Sequence, residues 1–204
     1  MYIPAAFAQA DLDQCCAFIQ QHSFGLLISQ VEGEPFASHL PFLLDRSAGP
    51  HGSLIGHLAL ANPQWRQAEG QQVLAIFSGP HAYISPTWYA ADHVVPTWNY
   101  VAVHVYGTLR LVQDEAALAR ILQDFVAFYE AGLPRPWQFD STSDYSKKLL
   151  KAVAGFRIEI TRIEGKWKLN QNRPPEQRER VVQQLQSLPE ENARAIASLM
   201  TQGQ

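Results

Sequence analysis

An antiparallel β-barrel set in an α+β chain is the architecture this sequence predicts. Three observations predict it. Six or seven β-rich runs lie between residues 24 and 163, most of them joined by short connections. Helical periodicities are inserted between those runs or gathered after residue 176. The glycine fingerprints of dinucleotide and P-loop folds, GxGxxG and GxxxxGKS, do not occur. Of 204 residues, 47% are hydrophobic and 17% charged, which permits a packed core and excludes a disordered chain.

Asp11 and Gln14 have capping-box spacing, and Leu12, Cys15, Cys16 and Ile19 then recur at helical intervals, so a helix is expected at about 11–22. Phe24–Val31 and Pro35–Asp45, around Glu32-Gly33-Glu34, read as a β-hairpin. The SAGPHG stretch at 47–52 reads as a loop, 53–58 as a strand and 59–68 as a short helix with Pro63 in its first turn. A strand at 72–77 is punctuated by Gly79-Pro80 and resumes at 82–85, followed by an aromatic, proline-rich loop at 86–97. The β-branched run 99–112 carries Gly107 as a bulge or close backbone approach. Asp114 caps an amphipathic helix with Leu118, Ile121, Leu122, Phe125 and Phe128 on one face. A linker at 133–140, a helix at 143–153 stopped by Gly155, a half-buried strand at 156–163 and a polar segment at 165–175 follow. Helices at about 176–187 and 190–201 flank Pro189. The expected organisation is one domain over 1–175 and a helical extension over 176–204.

The net charge of −3 argues against wholesale binding to nucleic acid or an anionic membrane. Cys15 and Cys16 are adjacent and form no disulfide framework, which suits a reducing compartment. The start of the chain lacks a basic n-region and an apolar run, and no stretch reaches membrane-spanning length. A soluble, cytoplasmic protein is expected.

Several stretches mix hydrogen-bonding residues with aromatics or proline, as a cleft for a flat, polar-edged ring requires. Histidines 39, 57, 81 and 104 lie in or beside strands without HExxH, HxH or nearby carboxylates, so no metal site is expected. One reading makes His104 a hydrogen-bonded strand residue, and the functional one has His39 and His57 face a ligand's phosphate or ring edge. Between Lys166 and Arg180 there are five basic and two acidic side chains. Arg178 and Arg180 read as a solvated face. Lys168 and Arg173, with the amides of Gln171 and Asn172, suit a phosphate monoester. Tyr83, Trp88, Tyr89, Trp98 and Tyr100 suit stacking on a planar ligand or packing at a barrel end or interface. No GxSxG serine and no activated cysteine is present, so catalytic residues stay unassigned.

The blocks SHLPFLLD (38–45), GHLALANPQW (56–65), FSGPHAYISPTWY (77–89), VPTWNYVAVHVYG (95–107) and KLNQNRP (168–174), with the opening MYIPAAF, resemble the PaiB family over residues 1 to about 185. The resemblance implies an FMN-binding split β-barrel, an antiparallel Greek-key barrel with inserted and C-terminal helices, related to the pyridoxamine-phosphate oxidases. It implies a homodimer with flavin at the subunit interface. The family's namesake is a negative transcriptional regulator of protease production and sporulation. His39, Leu40, Pro41 and Phe42 match the strand under the flavin ring, with His39 where relatives often carry Arg. His57 and Asn62 match the pair near the flavin phosphate, at a shorter spacing. Lys168 and Arg173 join His57 on the phosphate, with Asn99, Gln171 and Asn172 in the binding set and Trp98 or Trp88 as a lid. The chain departs from the family at Leu60, usually basic, and at Asn170, usually Ser.

Other classes are compatible with these residues. A flavin oxidoreductase would use His81 and Tyr83 as its nearest acid–base groups. Haem binding is a third reading, since histidines are available. A DNA or protein partner is left open, because no helix-turn-helix is visible and the terminal helices offer a partner surface.

Overall fold

The computed structural model describes residues 1–202. Its strands are β1 (Ala8–Gln9), β2 (Phe24–Val31), β3 (Glu34–Pro41), β4 (Leu43–Asp45), β5 (Ser53–Ala59), β6 (Gln72–Ile84), β7 (Thr97–Val112) and β8 (Val153–Lys168). Its helices are α1 (Leu12–Gln21), α2 (Gln64–Ala68), α3 (Glu115–Glu130), α4 (Asp144–Leu150), α5 (Pro175–Ser187) and α6 (Glu191–Gln202). The strands form one sheet in the order β3-β2-β6-β7-β8-β5-β4, and β1 pairs with β8. The β2–β3, β2–β6, β4–β5, β5–β8 and β1–β8 pairings are antiparallel. Among the described residues, no helix is long and apolar enough to cross a membrane.

Local chemistry sets these elements. Asp11 Oδ1 accepts from the backbone N–H of Asp13 at 2.8 Å and of Gln14 at 3.2 Å, which starts α1. Glu32 and Gly33 take φ of 54° and 83°, the paired left-handed geometry of a tight hairpin turn. Asp114 caps α3 through Ala117 N, and Ser143 caps α4 through Ser146 N. Asn62 Oδ1 accepts from Gln64 N at 2.9 Å and opens α2.

Several expectations from sequence are corrected. There are eight strands among the described residues rather than six or seven. Gly79-Pro80 does not interrupt β6. A Cβ at Gly79 would sit 2.7 Å from the Phe18 ring, so the glycine makes room for a neighbour. The β6 register with β2 covers Leu74–Ile76 only, so Pro80 removes no hydrogen bond from that ladder. Gly155 does not stop a helix: α4 ends at Leu150 and β8 runs through Gly155, whose Cβ would meet Leu118 Cδ1 at 2.7 Å. β8 continues to Lys168, through residues read from sequence as the start of a polar segment. Of the two readings of Gly107, bulge or close approach, the second holds, since a Cβ there would lie 2.4 Å from Glu159 O.

By packing, the chain divides into two units. The first comprises Met1–Phe18, Phe77–His104 and Glu164–Gln204. The second comprises Ile19–Ile76 and Val105–Ile163. In the first, α5 buries Val181, Val182 and Leu185 and α6 buries Ala193, Ile196, Ala197 and Met200. In the second, Ile55, Ile121 and Phe125 form a buried cluster flanked by Leu43 and Val112.

Candidate functional site

The sequence-derived site residues fall into both units, and each group is built by its own unit. In the second unit, the β5–β8 register sets Gly56 opposite Phe156. A Cβ at Gly56 would stand 2.3 Å from Phe156 Cζ, so only glycine leaves room for that ring. Phe156 in turn meets Phe42 edge-on, with centroids 6.2 Å apart. Phe42 is therefore core, and its backbone N–H donates to Ser23 O at 2.8 Å. Its neighbours differ: Leu40 and Pro41 are half-buried, and His39 is exposed with its ring stacked at 6.3 Å from Phe24.

His57 follows Gly56. Its ring meets Phe125 of α3 edge-on at 5.0 Å, and its Nδ1 is buried with no hydrogen-bond partner. Burial pushes the imidazole below its ordinary pKa, because the charged form loses hydration. His57, Pro41, Phe125, Tyr129 and Glu130 line an open cavity of about 330 Å³. Tyr129 is fixed by a 2.7 Å hydrogen bond between its hydroxyl and Ser23 Oγ. Asn62 is engaged elsewhere: its Nδ2 donates to Ser38 Oγ at 2.8 Å and its Oδ1 accepts from Gln64 N at 2.9 Å. Leu60 contributes its backbone carbonyl to Trp65 Nε1 at 3.0 Å.

In the first unit, the KLNQNR segment turns around Tyr89, which is fully buried. Asn170 takes φ of 62°, a left-handed conformation that asparagine tolerates better than most residues. Its Nδ2 donates to the Tyr89 hydroxyl at 3.0 Å. The departure from serine at this position thus has a structural use. Arg180 donates to Tyr89 O at 2.9 Å, and the Arg173 guanidinium lies 5.0 Å above the Tyr89 ring. Gln171 closes the turn, accepting from Leu169 N at 2.7 Å and donating to Trp167 O at 2.6 Å. Asn172 is exposed.

Lys168 is not a free cation. Its ammonium donates to Thr97 Oγ1 and, at 2.8 Å, to Trp98 O. Burial, then the nearby Lys166, lowers its pKa. Asn99 is fully buried, donates to Met200 Sδ at 3.4 Å and leaves its Oδ1 without a partner. Trp88 and Trp98 are brought together in one cavity of about 440 Å³, with His81, Tyr83 and the turn between α5 and α6.

Tyr89, Tyr129, Arg180 and the α5–α6 turn were missed by sequence reasoning. Tyr89 was one of several loop aromatics, and nothing in its neighbours marked it as the hub. Arg180 read as solvated because a helix face alone does not show which carbonyl it reaches.

Two solved structures share this fold. A flavocytochrome, Anf3, of Azotobacter vinelandii superposes with a TM-score of 0.62 at 18% identity, covering 79% of this chain and 69% of that one. An FAD- and heme-binding protein of Mycobacterium smegmatis superposes at 0.60 with 13% identity, covering 79% and 73%. These likenesses define the class: a split-barrel fold of the flavoprotein type. The chain belongs to the family described as "Putative FMN-binding domain", which matches residues 1–162. It is 38% identical over 202 residues to Protease synthase and sporulation protein PAI 2 of Bacillus subtilis, covering 98% of this chain and 96% of that protein. An uncharacterized protein of Aspergillus fumigatus is 30% identical, covering 97% and 95%. The resemblance to the PaiB family is borne out, and FMN is the cofactor by which the family is defined.

The donor set fits such a group. A flavin mononucleotide presents a dianionic phosphate and a ring with polar edges. His57 offers a buried nitrogen without a protein partner, and the Arg173 guanidinium, which lies over the Tyr89 ring, forms no ion pair among the described residues.

Proposed function

We propose that this protein is a PaiB-type regulator: a cytoplasmic, FMN-binding homodimer that restrains transcription of genes for protease production and sporulation. The name of the Bacillus subtilis relative, a protease synthase and sporulation protein, and its similarity over nearly the whole chain support the biological role. The observation that carries the flavin site is the unpartnered Nδ1 of His57 in the wall formed with Pro41 and Phe125. A buried polar atom left unpaired carries a cost of about 1–3 kcal/mol, which a ligand hydrogen bond removes. His39, Leu40 and Pro41 supply the adjoining ring contacts. The family resemblance assigns both His57 and Arg173 to the phosphate. When bound, FMN supplies reversible electron transfer, so regulation can follow its redox state.

A homodimer is supported by apolar side chains left exposed on and near α3 and α4, among them Phe128, Tyr129, Trp137 and Tyr145. A protein partner is favoured over DNA. Arg178 and Arg180 donate to the carbonyls of Met200 and Tyr89, Lys168 is engaged on Thr97 and Trp98, and the net charge is −3. The test is the visible spectrum of the purified protein before and after FMN addition and gel filtration. Retained flavin bands with quenched fluorescence are expected. A colourless protein that fails to take up FMN overturns the flavin reading.

One observation favours a flavin oxidoreductase as a second reading: the aromatic cavity beside His81 and Tyr83 has room for a small substrate. Oxidation of a nicotinamide cofactor by the FMN-loaded protein separates the two.

A further inference from the structure

The cavity in the first unit has a composition that selects its ligand. Tyr83 and Trp98 stand at 72° to one another with centroids 5.9 Å apart, and His81 lies 6.2 Å from Trp98 at 43°. Flat ligands are gripped between parallel rings. Rings at steep angles form a corner, which presents more than one π-face to a compact, rounded group. Tyr83 and Trp98 are 47% and 53% exposed, so their surfaces are open to a ligand.

The charged group in the cavity lining is Glu190, at the start of α6. Its carboxylate takes part in none of the structure's ion pairs among the described residues. Two cations are engaged on carbonyls of lining residues or their chain neighbours: Arg194 donates to Pro189 O at 2.8 Å, and Lys168 to Trp98 O at 2.8 Å. Those two bonds also hold backbone that carries the lining. One sets the backbone that carries Trp98, and the other sets the turn that carries Glu190. The corner is therefore preorganised, electron-rich and rimmed by a single negative charge.

We propose that this cavity binds an alkylated ammonium group, with Tyr83, Trp88 and Trp98 giving cation–π contact and Glu190 giving charge. A ring face attracts a cation by about 0.5–2 kcal/mol, while a neutral group of the same shape gains only the apolar contact. The chemistry is shared by a small quaternary amine and by a methylated lysine side chain. The inference rests on the cavity alone, and it holds whether or not FMN binds elsewhere on the protein.

The experiment titrates the full-length protein with choline, with 3,3-dimethylbutan-1-ol as its uncharged counterpart, and with Nε-trimethyl-lysine, following tryptophan fluorescence. Choline is expected to quench saturably, and the alcohol to bind about tenfold more weakly or worse. Tighter binding of trimethyl-lysine than of choline identifies a protein side chain as the source, and the reverse order identifies a small molecule. Glu190→Gln is exposed and should fold normally. It is expected to weaken choline about threefold to fivefold and leave the alcohol unchanged. Trp98→Leu is expected to abolish the response, with circular dichroism confirming the fold. Equal affinity for choline and the alcohol overturns the proposal, because the cavity is then merely apolar. Absence of saturable quenching overturns it too. So does displacement of choline by FMN, which assigns the cavity to the flavin.

Discussion

The Tyr89 corner and the His57 wall are built from the same residue types and use them in opposite ways. Around Tyr89, Asn170 donates to the phenol, Arg180 to the backbone carbonyl, and Gln171 to Trp167 O. Polar side chains there hold a turn of chain in place. At the wall, the His57 ring packs on Phe125 while its Nδ1 stays unpaired. The difference teaches that charge and amide content do not locate a ligand site. Unsatisfied capacity is the better guide, and an unpaired buried atom is found at His57 Nδ1 rather than at Lys168 or Gln171.

The largest effect is expected from breaking the corner. Tyr89→Ala removes a fully buried ring together with its contacts to Asn170 and Arg173, and should cost about 3–5 kcal/mol in denaturant unfolding. A loss below about 1 kcal/mol would show that the corner is peripheral to stability.

The next prediction sharpens the contrast by crossing it. His57→Leu removes the unpartnered nitrogen, so unfolding free energy should hold or rise by up to about 1 kcal/mol while FMN affinity falls roughly tenfold. Arg173→Met should likewise weaken FMN with the melting temperature little changed. Arg180→Met should do the reverse, losing about 1 kcal/mol of stability through Tyr89 O with FMN binding intact. If Arg180→Met and Arg173→Met behave alike, the distinction between engaged and available cations fails.

The smallest effect is a pH dependence. His57, His22 and His104 are all held below the ordinary histidine pKa, with burial the leading cause in each. Between the folded values and about 6.5 the unfolded chain binds more protons. Stability should be complete above about pH 6.5 and decline as pH falls through the folded values. His57→Leu should make that decline shallower, and an unchanged slope would assign it to the other two histidines.

Much of this molecule was legible before its structure. The α3 cap at Asp114 and the hairpin at Glu32-Gly33 follow from local rules, because each depends on a few consecutive residues. Gly79 and Gly155 misled for a stated reason. Glycine marks either a break in the chain or a neighbour too close for a Cβ, and both positions are of the second kind. The family was legible as well, because its blocks survive as contiguous strings.

The sequence by itself determined the β-rich class, the blocks that mark an FMN-binding family, and the residue types available for a phosphate and a ring. Periodicity, capping and motif spacing are local, so they can be read along one chain. Only the tertiary structure decided which of those residues remain available. It set Phe42 against Phe156, engaged Lys168 on Thr97 and Trp98, and turned Asn170 toward Tyr89, while leaving Nδ1 of His57 unpaired. Hydrogen bonds and buried contacts between residues far apart in sequence make that selection, and their geometry exists only once the chain has folded.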